Sequence, residues 1–160
     1  MKISIRKGIG FGLTSGIITT LGLVIGLNAG THSKSIIIAG ILTIAIADAF
    51  SDSLGVHISE ESGSKSTNHK QIWESTITTF LSKLFFALTF LIPFLLLSLD
   101  LAIITSIIWG LALITLFSYY ISKQHETSPT KAIIEHLVIA IIVIIATHFI
   151  GSCITNIFAV

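Results

Sequence analysis

Charge is what this sequence has least of. Only 11% of its 160 residues are Asp, Glu, Lys or Arg, against about a quarter in a soluble domain. With 52% hydrophobic residues, too little polar surface remains to solvate a globule, and a polytopic membrane protein is the class that fits. The net charge of +1 comes from scattered basic residues, which leaves no footprint for nucleic acid. A single cysteine, Cys153, excludes an internal disulfide. No phosphate loop, paired-cysteine zinc spacing or Ser/His/Asp signature occurs, so the chain is not read as an enzyme, and no permanently bound cofactor is expected. The basic N-terminus runs directly into a full-length apolar segment, as a first span does and a removed signal does not.

What is present is a series of long apolar runs. A span needs about 20 mostly apolar residues to cross roughly 30 Å of hydrocarbon. Five segments qualify, at about Gly8 to Asn28, Ser35 to Ser59, Ile77 to Leu99, Leu101 to Ser122 and Ala132 to Phe158. The expectation is therefore an all-α protein whose five transmembrane helices form one domain over residues 1–160. Pro93 is expected to kink the third span. With the N-terminus in the cytoplasm and the C-terminus outside, Lys2, Arg6, Lys7, Lys65, Lys70, Lys83, Lys123 and Lys131 fall in or next to the cytoplasm, and Lys34 alone falls outside. That bias predicts the orientation.

The first span carries Gly8, Gly12 and Gly16, then Gly22, Gly26 and Gly30. Glycines four apart clear a groove where another backbone approaches closely. Tight packing within one chain and a dimer face are both open on this pattern. Thr14, Ser15, Thr19 and Thr20 add hydroxyls that either bond to their own helix or line a polar path.

The second span holds the costliest residues. In the stretch Ile41 to Ser62, Ala45, Asp48, Asp52, Gly55 and Ser59 share one helical face, and Ile46, Phe50 and Leu54 lie on the other. Counted back from Ser59, Asp52 lies about 10 Å deep and Asp48 about 16 Å. Two carboxylates one turn apart repel when both are ionised, and burial disfavours both charges. Such a pair either shares a proton or attracts a cation, and both behaviours suit a proton-coupled cation path. The plainer reading is protonated acids bonded to neighbouring hydroxyls. His57, Glu60 and Glu61 have the spacing that gathers side chains at a cytoplasmic helix end, either as a metal-capture cluster or as a solvated terminus. His32, His69 and His125 are expected in loops; His136 opens the fifth span, and His148 within it is expected to be a hydrogen-bonded core histidine rather than a ligand.

The order of these features resembles the vacuolar iron transporter family. GLTSGIITTLGLVIGL is similar to that family's first-helix motif and ADAFSDSLGVHISEES to its second. TFLSKLFFALTFLIPFLLL and EHLVIAIIVIIATHFIGSCI also resemble family segments. Phe11 and Ser15 stand where the family has acids, and Asp52 stands where it has methionine. Only Glu60 to Thr76 occupies the place of its glutamate-rich cytoplasmic domain. The resemblance implies a homodimer in the lipid bilayer that exports Fe²⁺ or Mn²⁺ from the cytoplasm, coupled to protons, along a path between the first two helices. The path is expected to hold Ser15, Thr19, Asp48 and Asp52, with Asp48, Asp52, His57, Glu60 and Glu61 as metal ligands. Gly12, Gly16, Gly22 and Gly26 form the packing or dimer face. Oxygen ligands favour Mn²⁺, Fe²⁺ or Mg²⁺ over Cu⁺ or Zn²⁺. The expected location is the cell membrane, or an internal membrane in a eukaryote. The alternatives are the same architecture with another cation as cargo, and a membrane interaction protein that transports nothing.

Overall fold

A computed structural model describes residues 2–63, 68–124 and 128–158; His125 and Lys65 lie outside them. The described residues form helices α1 (Ile3–Thr31), α2 (Lys34–Gly63), α3 (His69–Thr89), α4 (Leu91–Leu96), α5 (Leu99–Gln124) and α6 (Pro129–Phe158). Five helical segments are long and apolar enough to cross a membrane, with α3 and α4 together making the third.

The helices outrun the apolar segments because their polar flanks carry good end signals. Asn68 precedes α3, and its side-chain oxygen accepts the Lys70 N–H at 3.1 Å, which satisfies one of the orphan donors of a helix start. The third helix therefore begins at His69 rather than near Ile77. Pro129 opens α6, where its missing N–H would have had no helical partner. Helix α1 ends on His32, which has φ 48° and whose N–H donates to the Asn28 carbonyl at 3.1 Å. This left-handed residue closes the helix and permits the short turn into α2. Pro93 acts as expected. It cannot donate to a carbonyl four residues back, and the helix is interrupted at Phe90 between α3 and α4.

The chain divides into two compact units. The first comprises Met1–Thr20 and Ile41–Thr89. In it, the glycine face of early α1 packs against α3. A Cβ on Gly12 would fall on the Thr79 carbonyl and crowd the Lys83 amide, so only glycine lets the two backbones approach this closely. The N-terminal end of α1 is tied to the same helix, with the Ser4 hydroxyl donating to Glu74 at 2.7 Å and Lys2 paired with Glu74 at 2.5 Å. On α2, Leu42, Ile46, Phe50, Leu54 and Ile58 form an exposed apolar stripe, while Ala45, Ala49 and Ser53 are buried.

The second unit comprises Leu21–Gly40 and Phe90–Val160. Here Gly22, Gly26 and Gly30 face Val143, Thr147 and Gly151 of α6. A Cβ on Gly151 would strike the Gly26 carbonyl. The Thr155 hydroxyl reaches across to the Gly30 carbonyl at 2.9 Å. Lys34 donates to the Leu97 carbonyl at 2.8 Å, just after α4. Gly8, Gly12, Gly16, Gly22, Gly26 and Gly30 of α1 thus each face a neighbouring helix of their own chain.

Left-handed backbone is disfavoured for any residue with a Cβ. His32→Gly should therefore raise stability by about 0.5–1 kcal/mol, seen as a higher unfolding midpoint in detergent. A lower midpoint would show that the imidazole makes contacts worth more than the backbone relief.

Candidate functional site

The site lies in the first unit and is assembled from three helices. From α2 come Asp48 and Asp52, one turn apart. From α1 comes Ser15, whose hydroxyl donates to Asp52 Oδ2 at 2.6 Å. The third contribution, from α3, is Lys83. Its Nζ lies 2.5 Å from Asp48 Oδ2, pairs with Asp52 Oδ2, and donates to Ser15 Oγ at 2.8 Å. Lys83 is 1% exposed, whereas Asp48 and Asp52 are 25% and 20% exposed.

This overturns the placement of Lys83 among the charges flanking the cytoplasmic side. With α3 starting at His69, Lys83 stands about four turns into the helix, too deep to count as a flank. Its ammonium sits between the two acids, so the cation that they were expected to attract is supplied by the protein itself. Glycine makes this seat possible. A Cβ on Gly16 would stand 3.0 Å from the Lys83 carbonyl oxygen and 3.4 Å from its Cγ. The same stripe that brings α1 against α3 therefore leaves room for the lysine stem.

The two acids are not equally served. Asp52 accepts hydrogen bonds from both Ser15 and Lys83. Asp48 Oδ2 is held by the Lys83 ammonium at 2.5 Å, without a second partner such as the Ser15 hydroxyl that Asp52 has. A groove of about 610 Å³ runs between α1 and α2. Asp52 lies on its wall beside Phe11 and Ser51, and Lys7 and Glu60 also line it. Gly55, in the same wall, has nothing within 4 Å of where a Cβ would stand, so the groove is open there.

The remaining expected ligands do not gather. His57 Nδ1 bonds the Thr76 hydroxyl at 2.9 Å. That hydroxyl already donates to the Ile72 carbonyl at 2.8 Å, so the imidazole is the donor and its proton is on Nδ1. The ring also meets Trp73 edge-on, with centroids 4.8 Å apart. Glu60 pairs with Lys7 at 3.0 Å, and Glu61 is exposed. His57 and Glu60 point to different neighbours because α3 and α1 flank α2 on different sides. Thr19 donates to the Ser15 carbonyl of its own helix at 2.8 Å. Among the described residues, no three His, Cys, Asp or Glu side chains converge as a metal site. A larger cavity of about 730 Å³, between Phe50, Leu54, Trp73 and Phe80, holds no carboxylate and belongs to the apolar surface. In the second unit, His136 Nδ1 bonds the Ser118 hydroxyl at 2.7 Å.

Sequence reasoning missed Lys83, although its signal was visible. A lone lysine in TFLSKLFFALTF is an intramembrane ionisable residue, which calls for a partner.

Residues 52–152 match the VIT family. The chain belongs to the VIT family. The match starts at Asp52 and runs from late α2 into α6, so the vacuolar iron transporter resemblance holds over most of the chain. Ser15 and Asp48 precede the matched region. No curated protein matches the sequence. VIT-family membership makes this an integral membrane protein of metal-ion transport.

Removing one partner from a buried ion pair leaves the other charge uncompensated, at about 3–5 kcal/mol. Because the acids here are partly exposed, Lys83→Leu should cost about 3 kcal/mol, measured as unfolding in detergent. Adding Asp48→Asn and Asp52→Asn should recover most of that loss. A triple variant no more stable than the single one would mean that the charges are not coupled.

Proposed function

We propose that the protein exports a divalent transition metal, Fe²⁺ or Mn²⁺, from the cytoplasm in exchange for protons, and that it works as a homodimer. The observation that carries this reading is the α2 acid pair, with Asp52 at the wall of an open groove and Asp48 joined to it through Lys83, in a chain of the VIT family. Carboxylate oxygens suit hard or borderline divalent ions. An acid pair whose charges need compensation can take either a cation or protons, which is the basis for exchanging one for the other. A single chain gathers fewer than three such ligands among its described residues, and a two-fold partner would double the carboxylates. The excess of basic residues flanking one side, without Lys83, still supports a cytoplasmic N-terminus. The cell membrane is the location that fits, or an internal membrane in a eukaryote.

A second reading has a specific observation behind it. With Lys83 seated, two carboxylates and one ammonium leave a single negative charge, which a monovalent cation would neutralise.

Vesicles reconstituted with the protein and loaded with a metal-sensitive dye separate the two. A pH gradient should drive Mn²⁺ or Fe²⁺ uptake, and Asp52→Asn should reduce it at least ten-fold. If wild-type vesicles move no divalent metal under any gradient, export of Fe²⁺ or Mn²⁺ is wrong. Proton movement that requires a monovalent ion would replace it with the second reading.

A further inference from the structure

We infer that Lys83 is a tethered competitor of the cargo, so that its ammonium and a divalent ion are alternative occupants of the Asp48–Asp52 pair. The inference rests on the proposed divalent transport and identifies the residue that decides when the pair accepts metal.

Two observations carry it. First, the ammonium stands where a bridging cation would stand, touching one oxygen of each acid. Second, the lysine and the groove reach the pair by different routes. Lys83 arrives on α3 and is buried, whereas the groove runs between α1 and α2 to Asp52. A metal ion can therefore come to Asp52 without passing along the lysine stem.

Charge decides between joint and exclusive occupancy. Two carboxylates with Lys83 alone carry one negative charge, and with a divalent ion alone they carry none. With both cations present the cluster is positive, and two like charges a few ångströms apart repel strongly where water is scarce. Exclusive occupancy is the favoured arrangement. The flexible four-carbon stem of lysine permits withdrawal, and its return displaces the ion. Lys83 on this view lowers resting affinity for metal and helps to release it.

Mn²⁺ binding to the purified full-length protein in detergent, followed by the loss of the free-ion electron paramagnetic resonance signal, tests this directly. Lys83→Gln should bind Mn²⁺ at least ten-fold more tightly than wild type. Lys83→Arg, whose charge is permanent and whose planar head can grip two carboxylates, should bind at least ten-fold more weakly than Lys83→Gln. In the wild-type protein, saturating Mn²⁺ should speed acylation of the Lys83 amine several-fold, a readout that does not require the neutral variant to fold. Equal Mn²⁺ affinity in all three proteins, or an unchanged acylation rate, would overturn the competition while leaving divalent transport standing. If no form bound Mn²⁺, the proposed function itself would fall, and the competition with it.

Discussion

A buried lysine held by two aspartates is the interaction on which the rest of this protein depends. Each of these charges would be costly to withdraw from water alone. Together with the Ser15 hydroxyl they form a cluster that ties α1, α2 and α3 to one point. A charge cluster of this kind contributes little net stability compared with apolar packing of the same volume. What it provides is position. The three helices have one arrangement in which every charge has a partner, and neighbouring alternatives leave a charge exposed to lipid or apolar side chains.

The small residues follow from that requirement. Gly12 and Gly16 bring the α1 backbone onto α3 at the level of Lys83, which lets a hydroxyl on α1 share the ammonium with acids on α2. The exposed stripe of Leu42, Ile46, Phe50, Leu54 and Ile58 is what a helix needs when its other face carries the polar cluster and its surroundings are lipid. Stability and transport thus draw on the same residues. The pair that must accept and release a cation is also the pair that anchors α3.

Most of the architecture was legible in the sequence because hydrocarbon thickness and backbone hydrogen bonding admit few solutions. The five spans, the interruption caused by Pro93 and the polar face of α2 all follow from local pattern. What was not legible was how polar side chains pair between helices. Placing the third span at Ile77 rather than His69 made Lys83 look like a flanking charge. The missing cue was Asn68, a helix cap in a stretch too polar to register as membrane. The spacing of His57, Glu60 and Glu61 suggested one cluster, yet Thr76 and Lys7 draw His57 and Glu60 apart. Helical periodicity says which residues share a face, and neighbouring helices then decide which of them meet.

The contact between Lys83 and the two aspartates can be measured without reference to transport. Solid-state nuclear magnetic resonance on the protein in lipid, labelled at lysine Nζ and aspartate Cγ, reads their dipolar coupling. Strong coupling from one lysine to two aspartates, abolished by Lys83→Gln, is the expected result. A Lys83 signal with no aspartate coupling, like that of a solvated lysine, would show that the three helices are not joined through this cluster.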